Sequence, residues 1–401
     1  MQRQRNFTLI TLADLIVRSA YQMGKTPLLP LFAASLGAGD VLLGLIVSVS
    51  TMTGMVLKPF IGAFSDRWGR RAWLIAGTLI FAGIPFTYRF VNTADQLFYL
   101  RIIHGTATAI YGPVTLAFVA EQTLPVQRAG KFGLFSLARS AGYIIGPAAA
   151  GWLLMHLDPA QVFTIIGLIS CLAFIPVLLI KKPSGPVNKT NPPLARQIKE
   201  ALKSGGKTPA IWISGGINAS VYIALYALKA FLPVYGVSLG MSIVQIGFFF
   251  SIQEASSMIL KPLGGRLGDR FGHLTAIGAG MLLYGLILPL LTRAPGFGAI
   301  MILAAFFGGA QALVFPSTTA LIANQVDKQH LGAGMGLRGS LNNAAKVTGP
   351  ILGGLLITQF DFAYTLQLLG LLLLFSGSAV LLSANLAPTL IPIRKRHKPG
   401  T

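Results

Sequence analysis

The sequence predicts an all-α membrane protein of twelve transmembrane helices, arranged as two pseudo-symmetric six-helix halves. Three observations carry that expectation. Of 401 residues, 53% are hydrophobic and only 11% are charged, where a soluble globular chain carries roughly 25% charged residues. Apolar runs of about 20 residues, the length that crosses a bilayer as helix, recur from end to end. They fall near 7–33, 40–63, 72–91, 96–119, 131–155, 160–180, 209–238, 242–264, 274–292, 296–323, 333–358 and 361–387. The third observation is a gapless internal repeat. Lys58 and Lys261, Pro59 and Pro262, Gly62 and Gly265, Asp66 and Asp269, Arg67 and Arg270 all stand 203 positions apart. Pro30 and Pro233, Gly105 and Gly308, Gly146 and Gly349, Pro147 and Pro350 keep the same register. The duplication divides the chain into a first half (1–180), a linker (181–208) and a second half with a basic tail (209–401).

Charge placement gives the orientation. A net charge of +21 would suit nucleic acid, but its distribution argues against that partner. Alternate loops hold Arg3 and Arg5, Arg67, Arg70 and Arg71, Arg128 and Lys131, Arg266 and Arg270, Lys328, and the run from Arg394 to Lys398. The intervening loops hold Asp40, Asp95, Asp158 and Asp361 against Arg89 and Arg293. This positive-inside asymmetry puts both termini and the linker in the cytoplasm of a multi-pass plasma-membrane protein. The first run has no cleavage signature and reads as an uncleaved span. Cys171 stands alone, so no internal disulfide is available.

Taken in order, the first helix carries Asp14, Arg18, Tyr21 and Lys25 on one face. A charge at mid-bilayer costs about 3 kcal/mol on insertion scales, so this face must look into protein or a water-filled cavity. Asp14 and Arg18 can simply pair; Lys25 has no acid within helical reach and is expected in the cavity. Pro27 and Pro30 should bend the helix just beyond it. In the second helix Lys58 is expected to snorkel to the cytoplasmic boundary.

The segment Gly62-Ala-Phe-Ser-Asp66-Arg67-Trp-Gly69-Arg70-Arg71 resembles the motif A loop of the major facilitator superfamily at every defined position. The resemblance implies a gating role for Gly62, Asp66, Arg67, Gly69 and Arg70, with contacts that hold in one state of a rocking pair and release in the other. The second copy, Gly265 to His273 with Asp269 and Arg270, lacks the double arginine, so a weaker latch is expected there. In the fourth helix Arg101-Ile-Ile-His104-Gly105 resembles motif B, which ties Arg101 to proton or substrate coupling. His104 reads either as a pH-responsive group or as a neutral, hydrogen-bonded one. Glu121 at the end of that helix can pair with loop arginines.

The fifth helix carries Arg139 and then Gly142-Tyr-Ile-Ile-Gly146-Pro147-Ala-Ala-Ala-Gly151. It resembles motif C, which in the superfamily goes with antiporters; Gly146 and Pro147, with Gly349 and Pro350 in the repeat, are the implied gating positions. Small residues at four-residue spacing permit close helix contact. The linker should hold a short basic helix around Ala195–Lys203, lying on the anionic leaflet.

The seventh helix places Asn218, Tyr222 and Lys229 on one face, with Lys229 one residue off the repeat position of Lys25. Glu254 in the eighth reads equally as a proton carrier or as a salt-bridge partner. Gln311 and Phe315 polarise the tenth, and Arg338, Asn342 and Lys346 form a stripe on the eleventh. Helices 3, 6, 9 and 12 carry no charge inside the span and suit a lipid-facing position.

These readings converge on a secondary transporter working by alternating access between repeats, expected as a monomer in the lipid bilayer, with protons and a small molecule as its ligands and no cofactor or metal. Nucleotide-binding loops and nucleophile–base sets are not found, so an enzyme is not expected. The expected substrate-binding residues are Lys25, Arg101, Arg139, Tyr222, Lys229, Gln311 and Lys346; the expected proton-coupling residues are Asp14, Arg101, His104 and Glu254. The resemblance to the drug/proton antiporter branch of the superfamily implies proton-coupled export, and positive charge in excess of negative inside the spans favours an anionic or amphiphilic substrate. The alternatives are a multidrug exporter of lipophilic cations, an importer or uniporter of a metabolite, and a non-transporting sensor on the same fold.

Overall fold

The computed structural model describes residues 2–124, 127–181, 209–294, 296–325 and 331–390, and these are helical with no strand among them. The linker helix expected around Ala195–Lys203 and the basic tail lie outside the described residues. α1 (Gln2–Met23) passes through a wide turn at Gly24–Leu28 and resumes as α2 (Leu29–Ser35). The break follows from Pro27, which has no N–H to donate and pushes the preceding residue out of the helical region. Thr26 accordingly has φ −147° and ψ 124°.

The remaining helices are α3 (Asp40–Trp68), α4 (Arg70–Thr87), α5 (Ala94–Glu121), α6 (Arg128–Leu153), α7 (Pro159–Cys171) and α8 (Phe174–Leu179). After the linker come α9 (Pro209–Ser238), α10 (Ile243–Phe271), α11 (His273–Leu291), α12 (Phe297–Gln325), α13 (Leu331–Phe360) and α14 (Phe362–Leu390). The sequence repeat reappears in where helices begin: α3 and α10, α4 and α11, α5 and α12, α6 and α13, α7 and α14 each start 203 residues apart. The sharp turns repeat as well. Gly69 and Gly272, with φ of 87° and 97°, separate α3 from α4 and α10 from α11 in a backbone region that disfavours side chains.

Among the described residues nine helices are long and apolar enough to cross a membrane. α1, α6 and α13 are not among them; they carry Asp14 and Arg18, Arg139, and Arg338 and Lys346. α4 beyond its leading Arg70 and Arg71, together with α7, α11 and α14, turns large apolar side chains outward, among them Leu79, Leu168, Leu286 and Phe375.

Packing also follows the repeat. α1 lies on α6, α3 on α5 and α4 on α7; α9 lies on α13, α10 on α12 and α11 on α14. The main contacts between the two repeats are α3 with α13 and α6 with α10. Both seams are built alike. Ser48 Oγ on α3 donates to Val347 O on α13 at 2.8 Å, and Ser251 Oγ on α10 donates to Ile144 O on α6 at 2.5 Å. Ser251 Oγ also accepts from Ala148 N at 3.0 Å, so the hydroxyl sits between two groups that an uninterrupted helix would bond to each other. Pro147 lies at that rung, where its missing N–H and bend open the ladder. Gly44 and Gly247 let the backbones meet: a Cβ on Gly44 would collide with Pro350 O, and one on Gly247 with Pro147 O. Toward the Asp40 end, Tyr235 OH on α9 donates to Asp40 Oδ1 at 2.8 Å.

Gly44→Val and Gly247→Val should therefore each lower stability by about 1–3 kcal/mol through overpacking, read as a fall in thermal unfolding temperature in detergent. Gly83→Ala is the control, because a Cβ there meets nothing within 4 Å.

Candidate functional site

Between the repeats lies a cavity with two lobes of about 130 and 220 Å³, joined through Tyr143, Tyr226, Lys229, Glu254 and Lys346. Its centre is the ring of Tyr226. Lys25 Nζ lies 5.2 Å from the ring centroid, Lys229 Nζ 5.8 Å and Lys346 Nζ 5.8 Å. Lys346 also sits 4.6 Å over Tyr222, whose ring stacks on Phe315 at 4.9 Å. A ring face attracts an ammonium by about 0.5–2 kcal/mol, enough to hold each lysine but not to neutralise it. Glu254 accepts from Lys229 at 2.8 Å. Among the described residues six basic side chains (Arg18, Lys25, Lys58, Lys229, Lys261 and Lys346) line the two lobes with Glu254 as the one carboxylate, and of the six only Arg18 also faces an acid behind the wall, Asp14. The described lining thus carries an excess of positive charge between tyrosine and phenylalanine walls.

Of the expected binding residues, Lys25, Tyr222, Lys229, Gln311 and Lys346 line this cavity, as does Glu254. Arg139 does not. Its guanidinium grips Asp14 through two bonds of 2.9 and 3.0 Å and donates to Thr115 Oγ1 at 3.2 Å. Arg18 approaches the same carboxylate at 3.7 Å. The repeat builds the same device without the acid: Arg338 donates to Thr318 Oγ1 at 3.1 Å, and the Asn218 amide oxygen, turned toward the guanidinium, accepts from Arg338 Nε at 3.0 Å. Thr115 and Thr318 are repeat mates.

Arg101 is also held behind the cavity. It is 1% exposed, donates to Tyr88 OH at 3.3 Å, and Tyr88 OH meets His104 Nδ1 at 2.9 Å. Tyr21, whose ring edge contacts His104 at 5.6 Å, stands between this group and the lumen.

At the loop end, Arg70 pairs with Glu121 at 2.7 Å and donates to Ser65 Oγ at 2.7 Å, while Arg71 reaches Leu178 O at 3.0 Å. Gly62 has open space around it, Gly69 forms the turn, Arg67 is exposed, and the Asp66 side chain lies outside the described residues. In the second copy Asp269 faces His273 at 3.8 Å, Arg270 covers Phe271 at 5.2 Å, and Gly265 lies near Pro316. Gly146 abuts Gln22 and Met23 on α1, and Gly349 abuts Ile223 on α9, while the carbonyls of Pro147 and Pro350 face Gly247 and Gly44 across the seams.

The sequence reading missed Tyr226 and Tyr143 and misjudged Lys58. Tyr222, Tyr226 and Lys229 step by four and three residues, so the helical face was available as a signal. Lys58 does not reach for the boundary; it turns into the cavity, its stem beside Gly54 and Gly112, where each missing side chain leaves room.

Asp14→Asn should destabilise the fold by about 3–5 kcal/mol, the usual cost of removing one partner from a buried ion pair. Asn218→Asp, which gives Arg338 the carboxylate that Arg139 already has, should raise the unfolding temperature. Thermal unfolding of both variants in detergent checks the pair.

The model of the Major Facilitator Superfamily matches residues 15–260 and 217–400. The chain is 27% identical over 344 residues to an uncharacterized MFS-type transporter, YuxJ, of Bacillus subtilis, covering 84% of this chain and 86% of the relative. It is 24% identical over 385 residues to multidrug resistance protein 2 of B. subtilis, covering 92% and 95%. The multidrug resistance protein MdtG of Enterobacter lignolyticus is likewise 24% identical over 385 residues, covering 93% and 91%. Among solved structures, a bacterial homolog of the human lysosomal transporter Spinster, in an inward-facing and unoccupied conformation, superposes with a TM-score of 0.78 at 15% identity, covering 96% of this chain and 97% of that one. The nucleoside transporter NupG gives 0.75 at 15% identity, covering 94% and 98%. With that family match, a helical bundle and a cavity between repeats, the chain belongs to the Major Facilitator Superfamily and is a multi-pass membrane transporter, not an enzyme.

Proposed function

We propose that this transporter moves small organic anions by proton-coupled alternating access, through twelve spans in two six-helix halves, and that it exports them from the cytoplasm. The observation that carries the proposal is the lumen charge, six basic side chains against Glu254. A lipophilic cation would enter that field against several like charges, each costing more in a low-dielectric lumen than in water. The aromatic walls suit an amphiphilic anion. Export is supported by the relatives named for multidrug resistance and by energetics: an inside-negative potential drives an anion outward by about 2.3 kcal/mol per charge per 100 mV. The seams at Ser48 and Ser251, together with the Tyr235–Asp40 bond, support an inward-facing state closed on the extracellular side.

The Lys229–Glu254 bond of 2.8 Å favours a second reading of the coupling. An anion that takes Lys229 displaces Glu254, and a carboxylate left without its cation binds a proton more readily. Anion and proton would then load together and travel in the same direction, which in a respiring cell is inward.

One experiment serves both readings. Proteoliposomes with imposed pH gradients of either sign are offered benzoate, citrate and glycerol 3-phosphate, against ethidium and tetraphenylphosphonium. At least one anion should move in a gradient-dependent way. Lys25→Gln or Lys346→Gln should weaken that flux roughly 10- to 100-fold, as expected for about 1.5–3 kcal/mol per charge-assisted contact. Glu254→Gln should leave residual flux indifferent to pH. The gradient sign that drives uptake separates exchange from co-transport, and cation flux insensitive to the lysines would overturn the anion reading.

A further inference from the structure

Lys58 and Lys261 are repeat mates, each in the tripeptide Leu-Lys-Pro that leads into one of the two Asp-Arg segments, Asp66-Arg67 and Asp269-Arg270. Both line the cavity, one in each lobe and one from each repeat. Each lies ten residues before the end of its helix, α3 at Trp68 and α10 at Phe271, which places it about 15 Å from the Arg70 end at 1.5 Å rise per residue. By the same measure Lys346 is about 22 Å in along α13 and Lys229 about 30 Å in along α9. The basic groups therefore form a graded series rather than one cluster. The outer pair is set apart chemically as well. Lys25, Lys229 and Lys346 each lie over tyrosine rings, and Lys229 has its carboxylate. Lys58 and Lys261 have no carboxylate within 4 Å among the described residues, though Lys261 shares its lobe with Glu254 and feels its charge at longer range. The Lys58 stem is also accommodated by the fold: a Cβ on Gly54 would lie 3.7 Å from its Cε, and one on Gly112 3.6 Å.

We infer that Lys58 and Lys261 form a separate outer anion site at the mouth of the cavity, which captures the carboxylate or phosphate group of the substrate before it passes to Lys346, Lys25 and Lys229. The site rests on the anion-transport reading above. Two ammonium groups free of a close ion pair at a cleft mouth with low-dielectric walls focus the field and raise the local anion concentration, and salt weakens the effect.

The test has two arms. In the first, Cys171→Ser removes the single cysteine and Thr108→Cys supplies a probe on the cavity wall beside Gly54 and Lys58. Its rates with sulfonatoethyl and trimethylammonioethyl methanethiosulfonate are compared, each scaled to free mercaptoethanol. The anionic reagent should be favoured roughly tenfold, the preference should shrink with added salt, and Lys58→Gln with Lys261→Gln should reduce it several-fold, whereas Lys25→Gln should change it less. Arginine at both positions should restore it. A preference unchanged by removing the two lysines overturns the outer site, whatever is transported. In the second arm, the glutamine pair should raise the KM for benzoate flux roughly tenfold and remove its salt dependence. If Lys25→Gln abolishes flux while the glutamine pair leaves KM and salt dependence untouched, the outer site falls and the transport reading stands. If no anion moves in unsubstituted protein, the transport reading falls and takes the capture role with it, even where the thiol preference persists.

Discussion

The fold depends on how two bundles meet without a hydrophobic force to press them together. Within lipid, apolar surface gains little by leaving one hydrocarbon for another, so close backbone packing and hydrogen bonds have to supply the contact. Here they do so twice in the same way: a serine hydroxyl reaches a backbone carbonyl of the opposite repeat, beside a proline that unsettles the ladder and a glycine that admits the facing backbone. Each hydrogen bond has a net worth of about 1 kcal/mol. Seams of that strength can hold one arrangement and still part when a ligand shifts the balance. The lumen lies where the seams end, and its residues take their positions from the helices the seams fix.

The repeat was legible because glycine and proline act locally. Their register in the sequence anticipates helix starts 203 residues apart and paired left-handed turns at Gly69 and Gly272. The break after Lys25 was legible for the same reason. The partners of buried charges were not. Arg139 and Lys346 look alike on a helical wheel, each one cation on a helix with little else charged, yet one is consumed by Asp14 from another helix and the other faces the lumen. That choice is made between helices, and spacing along one helix cannot report it. Lys58 misled by proximity to a loop; the deciding fact was space left by Gly54 and by Gly112, the latter 54 residues away. Tyr226 needed no tertiary information and was overlooked because attention went to charge.

Burial also explains why motif B and the Asp14–Arg139 pair stand behind the lumen rather than in it. A guanidinium can be kept from lipid and water alike only if fixed dipoles surround it. Tyr88 and His104 supply them for one nitrogen of Arg101, Nη1, while its Nε and Nη2 have no hydrogen-bond partner among the described residues, and Thr115 with Asp14 does so for Arg139. Such groups set the shape of the wall and the tilt of the rings that do face inward.

The duplication is faithful in its mechanics and unfaithful in its chemistry. The serine seams match across the repeat, whereas the lumen's tyrosine pair, its carboxylate and the most deeply ringed lysine belong to α9, α10 and α13, and Tyr143 stands in the first repeat where Lys346 stands in the second. Cations line the lumen from both repeats, Arg18, Lys25 and Lys58 from the first and Lys229, Lys261 and Lys346 from the second. In a rocking cycle of the kind proposed above, the two sets of cations would change their distance from each other, while the tyrosine pair and the carboxylate would travel together with the second repeat.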